Sequence, residues 1–235
     1  MRLDVYHYMI IFLLVSAATA MYQAQQFYLQ IVVIPAVAAL TDFAITYYKT
    51  KQKNWPLSAI ISGLIIASIM PALDLVIQIF VALLSVVQKH VIRWRGSHIF
   101  NPAAFSVLIA SLLFLKPPTW WIGTSAVVLI FLLTANMVKR LVISGIFYAS
   151  YLILSLIRAG GVSSIAFLDY TAIFFALVMA VEPKTTPLSQ KGMILFGIGL
   201  SILSFVIQFA QLPVDFFIAS LLVMNIFNKD LNKLK

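Results

Sequence analysis

The chain has 235 residues, of which 63% are hydrophobic and only 10% are charged. Because a soluble globular protein is about half apolar and a quarter charged, this composition excludes a soluble fold and predicts an integral membrane protein. The chain contains no cysteine, which excludes disulfides, iron–sulfur clusters and thiol chemistry within it. The net charge of +9 does not indicate nucleic-acid binding, since the basic residues form short clusters between apolar runs, as in the cytoplasmic loops of membrane proteins.

Ten apolar segments follow one another along the chain and predict about ten transmembrane helices. They cover residues 8–22, 27–48, 57–70, 74–88, 102–115, 119–135, 140–157, 165–181, 192–210 and 213–227. The third, fourth and fifth are shorter than the roughly 20 residues that a straight span needs, and they flank helix breaks at Pro71 and Asn101-Pro102. We therefore expect an all-α integral membrane protein with short broken helices, forming a single membrane domain over residues 1–235.

The distribution of Lys and Arg predicts the orientation of these segments. If the N-terminus, alternate loops and the C-terminus share one side, that side carries 14 Lys and Arg residues, and the other carries only Lys116 and Arg158. The positive-inside rule then places both termini in the cytoplasm. We expect a multi-pass protein of the cell membrane, the inner or plasma membrane.

A weak internal repeat divides the segments into two groups of five. Residues 62–71 resemble residues 171–180, and each stretch is followed by one more segment and then by a short segment opened by Pro102 or Pro213. The repeats would cover about 1–116 and 117–228, leaving a polar tail at 229–235. An odd number of helices inverts the second repeat, a plan that places ligands near the midplane between the halves. Chance similarity between apolar sequences is the alternative explanation.

The stretch Gly96–Phe105 is the clearest break in helical structure. Proline removes a helical hydrogen bond and pushes the preceding residue out of the helical region. Carbonyl groups freed in this way must find partners in the protein or at a water-filled cavity. Asn101 can donate and accept hydrogen bonds, so it is a candidate for lining a ligand site. Alternatively, Asn101 caps an ordinary helix and Pro102 occupies its first position, and both interpretations can hold.

A second polar stretch, residues 182–187, contains the acid Glu182 and the hydroxyls of Thr185 and Thr186. Glu182 could accept hydrogen bonds from a ligand or relay a proton; alternatively it pairs with Lys184 in water, a common and weak contact. Asp42 lies within the second segment, where an acid predicts a functional role, although its nearness to Lys49 also fits an interface position. Asp42 and Glu182 are thus the candidates for an ion or proton pathway.

The remaining candidate ligands in the sequence are few. The three histidines each lie near a loop, and no cluster of His, Asp and Glu shares a helix face. We therefore expect neither haem nor a metal site in this chain.

Three stretches together resemble the RnfD/NqrB family, the flavin-carrying membrane subunits of ion-pumping ferredoxin– or NADH–quinone-type oxidoreductases. SAIISGLIIA at 58–67 resembles the family's SA-x-x-TGLLLAL helix, GSHIFNPA at 96–103 resembles GQNIFNPA, and EPKTTP at 182–187 resembles DPVTSP. Asp42 matches an acid near the end of the family's second span. The order and spacing agree from about residue 30 onward.

The resemblance implies ten helices in two inverted repeats, a flavin held in the membrane region, and electron transfer coupled in larger complexes to Na⁺ or H⁺ movement. The family carries FMN esterified to a threonine on a long loop between the fifth and sixth spans, but here that connection is only Lys116–Thr119. Any flavin, riboflavin or FMN, would therefore be held non-covalently, with its ring stacked on an aromatic such as Phe100. The cofactor-binding candidates are Ser62, Gly63, His98, Phe100, Asn101, Pro102, Glu182, Lys184, Thr185 and Thr186.

Three functions remain open at this point. The first is an electron-transport subunit of a membrane oxidoreductase complex, with other membrane subunits and a soluble flavin or iron–sulfur reductase as partners, rather than a stand-alone enzyme. The second is a permease for a flavin-like small molecule, with the same fold and no redox role. The third is a structural membrane subunit that has lost its cofactor.

Overall fold

Helices dominate the computed structural model, which describes residues 4–70, 74–94, 96–159 and 169–234. Each of the ten apolar segments contains helical structure there. The expected break at Pro71 lies outside the described residues. The elements are α1 (Val5–Ala24), α2 (Gln30–Thr50), α3 (Leu57–Ile69), α4 (Leu75–Val91), β1 (Arg93–Trp94), β2 (Ser97–His98), α5 (Pro102–Phe114), two 3-10 turns (Trp121–Thr124 and Ala126–Ile130), α6 (Phe131–Met137), α7 (Leu141–Ala159), α8 (Tyr170–Phe174) with a π-helical turn (Phe175–Met179), α9 (Gln190–Phe209) and α10 (Phe216–Leu231).

Side-chain caps set the start of several of these helices. The Asn101 Oδ1 accepts from the Ala104 N–H at 3.0 Å at the start of α5. The Asp215 Oδ1 accepts from the Ile218 N–H at 2.9 Å at the start of α10. Because the first N–H groups of a helix have no intrahelical partner, a short polar side chain that accepts from one of them stabilises the helix start. These caps fix the starts of α5 and α10 at Pro102 and Phe216.

Four helices are long and apolar enough to cross a membrane: Val5–Ala24, Gln30–Thr50, Leu141–Arg158 and Gln190–Phe209. The others are shorter, and α3, with 13 residues, spans only about 20 Å at 1.5 Å per residue. Nine of its residues are buried, and every residue from Ala172 to Val181 is buried too. A helix that is apolar and covered on all sides belongs to the interior of a bundle, so α3 and residues 172–181 lie inside the bundle.

Helices five apart in chain order make matching contacts. Helix α4 packs on α2 and α5, and α9 packs in the same way on α7 and α10. The last helices of the two groups, α5 and α10, touch each other, and so do α1 and α6. Aromatic rings fill the second group's core, where Phe175 and Phe217 stack with ring centroids 4.8 Å apart and Phe147 packs on both.

The two ends of the bundle have different compositions, and we name them accordingly. The basic end holds the first turn of α1, the β1–β2 hairpin, the segment 182–188 and the last turns of α10. The aromatic end is where Tyr28 packs on Trp121 at 4.8 Å and the Thr119 N–H donates to the Ile69 carbonyl at 2.8 Å. Also at this end, the Trp120 Nε1–H donates to the Asp215 Oδ2 at 2.8 Å.

Candidate functional site

The two polar breaks of the sequence meet at the basic end. The strands β1 and β2 pair in antiparallel fashion, with Arg93 opposite His98. Gly96 lies between them with a φ of +88°, a left-handed value that glycine adopts readily. The hairpin directs His98 towards Glu182, and the His98 Nε2 lies 3.0 Å from the Glu182 Oε1. Glu182 therefore pairs with a histidine 84 positions away in the chain.

Glu182 is held by its own loop as well as by His98. The Thr185 hydroxyl donates to the Glu182 Oε2 at 3.0 Å, and the Thr186 hydroxyl donates to the Glu182 carbonyl at 2.7 Å. The Arg140 Nε–H donates to the Thr186 Oγ1 at 3.2 Å. An arginine stays protonated in proteins, so Arg140 brings positive charge close to this loop.

Asn101 caps α5, which is one of the two roles that the sequence left open to it. Its Oδ1 caps α5, and its Nδ2 donates to the Met179 carbonyl at 3.4 Å, across to the π-helical turn. Pro102 follows at the first helical position, as proline often does. Both residues also border the cavity described below.

A stripe of asparagines on α10 joins the two breaks, and sequence reasoning missed it. The Asn225 Oδ1 accepts from the Asn101 N–H at 2.9 Å, and its Nδ2 donates to the Thr185 carbonyl at 3.0 Å. One turn further, Asn228 donates to the Lys184 carbonyl at 3.4 Å, and Asn232 accepts from the Leu188 N–H at 2.5 Å. The spacing 225, 228 and 232 puts three amides on one face of the last helix, a signal that was readable in the sequence.

Asp42 belongs to a buried cluster of charges close to this site. The Lys89 Nζ donates to the Asp42 carboxylate at 3.0 and 3.1 Å and to the Ser58 Oγ at 2.8 Å. The His90 Nε2 lies 2.7 Å from the Asp42 Oδ1. The Asp42 side chain is only 8% exposed, so the acid is inside the bundle. The sequence placed Lys89 in a loop, but α4 continues to Val91 and carries Lys89 and His90 in its last turn.

Two small cavities lie behind the His98–Glu182 pair. The first has a volume of about 80 Å³ and is bordered by Ser62, Asn101, Pro102 and Glu182 among mainly apolar side chains of α1, α3 and residues 178–183. The second, of about 40 Å³, is bordered by Ser62, Lys89, His98 and Glu182. Both are smaller than the roughly 300 Å³ at which pockets for organic ligands begin.

A larger cleft opens in front of the pair, and we call it the outer cleft. Its volume is about 700 Å³, within the range for ligand pockets. Aromatic, basic and amide side chains border it. They include Trp94, His98, Phe100, Lys184, Asn225 and Lys229. The Lys229 ammonium lies over the Trp94 ring, 5.6 Å from its centroid, and donates to the Trp94 carbonyl.

The predicted cofactor-binding residues divide into three groups in space. The first group, Ser62, Asn101, Pro102 and Glu182, borders only the inner cavities. The second group, His98, Phe100 and Lys184, borders the outer cleft, and His98 and Lys184 also border the smaller cavity.

The third group, Gly63, Thr185 and Thr186, borders none of these spaces. The two threonines are fully buried with their hydroxyls bonded to Glu182. A Cβ on Gly63 would lie 2.5 Å from the Pro35 Cα, so this glycine lets α3 approach α2.

The described residues contain no group of three or more His, Asp and Glu side chains that could hold a metal ion. The sequence matches no protein-family model and no curated protein.

Proposed function

We propose that this chain is a multi-pass membrane subunit that binds a flavin non-covalently in the outer cleft and passes electrons within the membrane. One observation carries the proposal: the two motif-bearing breaks, around residues 96–103 and 182–187, lie side by side and border one cleft of suitable size. Phe100 offers a ring for stacking, while Lys184 and neighbouring amides offer donors for the polar atoms of a flavin. The protein's part in such chemistry is to position and tune the cofactor.

The proposed architecture is two inverted five-helix repeats with both termini on the cytoplasmic side. The matching contacts of α4 and α9, and the pairing of α5 with α10, support the repeats. The 14 Lys and Arg residues expected on one side of the membrane support the orientation. The outer cleft would then open to the cytoplasm, where a soluble reductase can deliver electrons, and other membrane subunits would complete the complex. Ion translocation by that complex is part of the proposal for the assembly, not for this chain alone.

Purified protein tests the cofactor directly. We expect a yellow protein, or one that binds added riboflavin or FMN with quenching of flavin fluorescence, and whose bound flavin can be reduced and reoxidised. Phe100→Ala should weaken flavin binding by about tenfold, since an aromatic pair contributes about 0.5–1.5 kcal/mol beyond the buried area. Phe27→Ala removes an aromatic ring that is 68% exposed and does not border the cleft, so it is the matched control and should bind like the parent.

The second candidate is a permease for a flavin-like molecule, and the inner cavities favour it. They lie between the two groups of helices, directly behind the cleft, where a substrate would pass in an alternating-access transporter. A colourless protein that carries labelled riboflavin into vesicles would support the permease and contradict electron transfer. A protein that neither binds nor transports flavin would contradict both and favour a structural subunit.

A further inference from the structure

The two inner cavities are adjacent parts of one space. They share six bordering residues, Tyr6, Ser58, Ser62, Pro102, Glu182 and Pro183. A cavity holds a water molecule when it offers about 10–15 Å³ of probe volume per molecule and two to four polar partners. With volumes of about 80 and 40 Å³, and hydroxyl and carboxylate groups on its wall, this space has room and partners for several waters.

Two hydrogen-bonded pairs of side chains contribute residues to the wall of this space. The first contributes Lys89, whose three N–H donors are all engaged, two by Asp42 and one by Ser58. Ser58 borders both cavities, and its hydroxyl accepts from Lys89, so it connects the Asp42–Lys89 pair to the space. The second pair contributes Glu182, which is bonded to His98. Water between the Ser58 hydroxyl and the Glu182 carboxylate would complete a chain of hydrogen bonds.

His98, the hydrogen-bond partner of Glu182, lies between the smaller cavity and the outer cleft. His98 and Lys184 border both the smaller cavity and the cleft, whereas Glu182 borders only the inner cavities. His98 is 5% exposed. A hydrogen bond of 3.0 Å between a buried ring and a carboxylate therefore spans the wall between the two spaces.

We propose that the inner cavities form one water-filled chamber that connects the Asp42–Lys89 pair to the outer cleft, with the His98–Glu182 pair as its latch. The chamber takes water and the protons that water carries. The proton path runs from the cleft past His98 to Glu182, through chamber water to Ser58, and on to Lys89 and Asp42. Three other titratable groups lie next to this path. Tyr6 from α1 and Lys184 from the second break border the cavities, and His90 from α4 is hydrogen-bonded to Asp42. This inference does not depend on a bound flavin.

The natural absence of cysteine allows a clean accessibility test. Ser62→Cys places the only thiol of the protein on the chamber wall. Ser68→Cys is the matched control, because Ser68 lies on the same helix, is 0% exposed and borders neither cavity. The probe is 2-aminoethyl methanethiosulfonate, a small polar thiol reagent, applied to the folded protein in detergent. We expect Ser62→Cys to react at least tenfold faster than Ser68→Cys, and His98→Ala to speed only the former by a further tenfold.

A second measurement tests the link to Lys89. The thiolate attacks the sulfur of the reagent, forming a mixed disulfide and releasing methanesulfinate, and a nearby ammonium favours the thiolate form. Adding Asp42→Asn and Lys89→Met to Ser62→Cys removes both charges of the pair without leaving one unpaired. If Lys89 faces the chamber through Ser58, the loss of its ammonium disfavours the thiolate, and the pH midpoint of labelling rises by about one pH unit. Lys229→Met, which removes an ammonium from the outer cleft, should leave the midpoint unchanged.

The outcomes separate the parts of the proposal. A chamber is ruled out if Ser62→Cys reacts no faster than Ser68→Cys in the parent and with the latch opened. The latch is ruled out if Ser62→Cys reacts at the rate of a fully exposed thiol before His98 is changed. An unmoved midpoint in the Asp42–Lys89 double variant would overturn the connection to that pair. Should His98→Ala fail to fold, Glu182→Gln keeps the side-chain shape, weakens the same hydrogen bond and gives the same comparison.

Discussion

The basic end and the aromatic end of the bundle use the same local device with opposite results. At the basic end Asn101 caps α5, and at the aromatic end Asp215 caps α10. Around Asn101 the packing leaves cavities bordered by hydroxyl, carboxylate and ammonium groups. Around Asp215 the second carboxylate oxygen accepts from the Trp120 indole, whose ring packs against Phe174, Phe175 and Phe217. A polar cap at a helix break therefore does not mark a site by itself; the space next to it does.

The largest effect is expected at the basic end, from Asp42→Asn. The change leaves the Lys89 ammonium buried without its carboxylate, and breaking a buried ion pair in this way costs about 3–5 kcal/mol. Thermal unfolding in detergent, followed by circular dichroism, measures the loss. The double variant with Lys89→Met should recover most of it. If Asp42→Asn unfolds like the parent, the cluster does not hold this end together.

The second largest effect is expected from Asn225→Ala, which removes the side chain that is hydrogen-bonded to both breaks. It leaves the Asn101 N–H and the Thr185 carbonyl without their partner, at about 1–3 kcal/mol for each buried group. We expect a loss of about 2–4 kcal/mol in unfolding free energy together with weaker flavin binding. Asn232→Ala, at the exposed end of the same stripe, is the control and should change both quantities far less. Lost stability with unchanged ligand binding would limit the stripe to a structural role.

At the aromatic end, Trp120→Phe should lower stability without affecting the site. It keeps an aromatic ring in the core but removes the indole N–H that donates to Asp215. A hydrogen bond to a charged group contributes about 1.5–3 kcal/mol, and the unfolding free energy should fall by that amount. Flavin titration and Ser62→Cys labelling should both stay at the parent values. A change in either would mean that the two ends are coupled.

The smallest effect separates packing from ligand binding at Gly63. Gly63→Ala places a methyl group against the Pro35 backbone, and overpacking of this kind costs about 1–3 kcal/mol. Gly145→Ala is the matched control, because nothing lies within 4 Å of its added Cβ and alanine favours a helix by about 1 kcal/mol. Opposite signs in the two unfolding measurements would assign Gly63 to helix packing. If Gly63→Ala lost flavin binding with unchanged stability, Gly63 would instead belong to the flavin site.

The sequence predicted the features that depend on local signals. Apolar run length, with proline and a capping residue at the breaks, located eight of the predicted segments to within about four residues of a helix. The sixth contains two 3-10 turns before the short helix α6, and the eighth begins outside the described residues. GSHIFNPA and EPKTTP marked the two breaks that meet. The long-range partners were not predictable in this way. Lys89 and His90 were assigned to a loop because their charges imply an interface, and only Asp42, 47 and 48 positions away, explains their place in α4.

Thr185, Thr186 and Asn225 are further residues whose hydrogen-bond partners could not be predicted from the sequence. Thr185 and Thr186 were expected to face a ligand because they are hydroxyls in a polar loop, but Glu182, within the same loop, uses both. Asn225 was overlooked because its partners come from breaks that are 124 and 40 positions away. Polar side chains in a membrane protein form hydrogen bonds with whichever polar groups the fold places next to them. Sequence spacing alone does not reveal which groups those are.

The π-helical turn Phe175–Met179 determines which way the second break faces. Its wider hydrogen bond, from the Ala180 N–H to the Phe175 carbonyl at 2.9 Å, takes one more residue into a turn than an α-helix does. One residue corresponds to about 100° of rotation around a helix axis. Shortening this turn by a single position would therefore swing Glu182 about 100° away from His98. The extra residue in this turn therefore orients Glu182 towards His98.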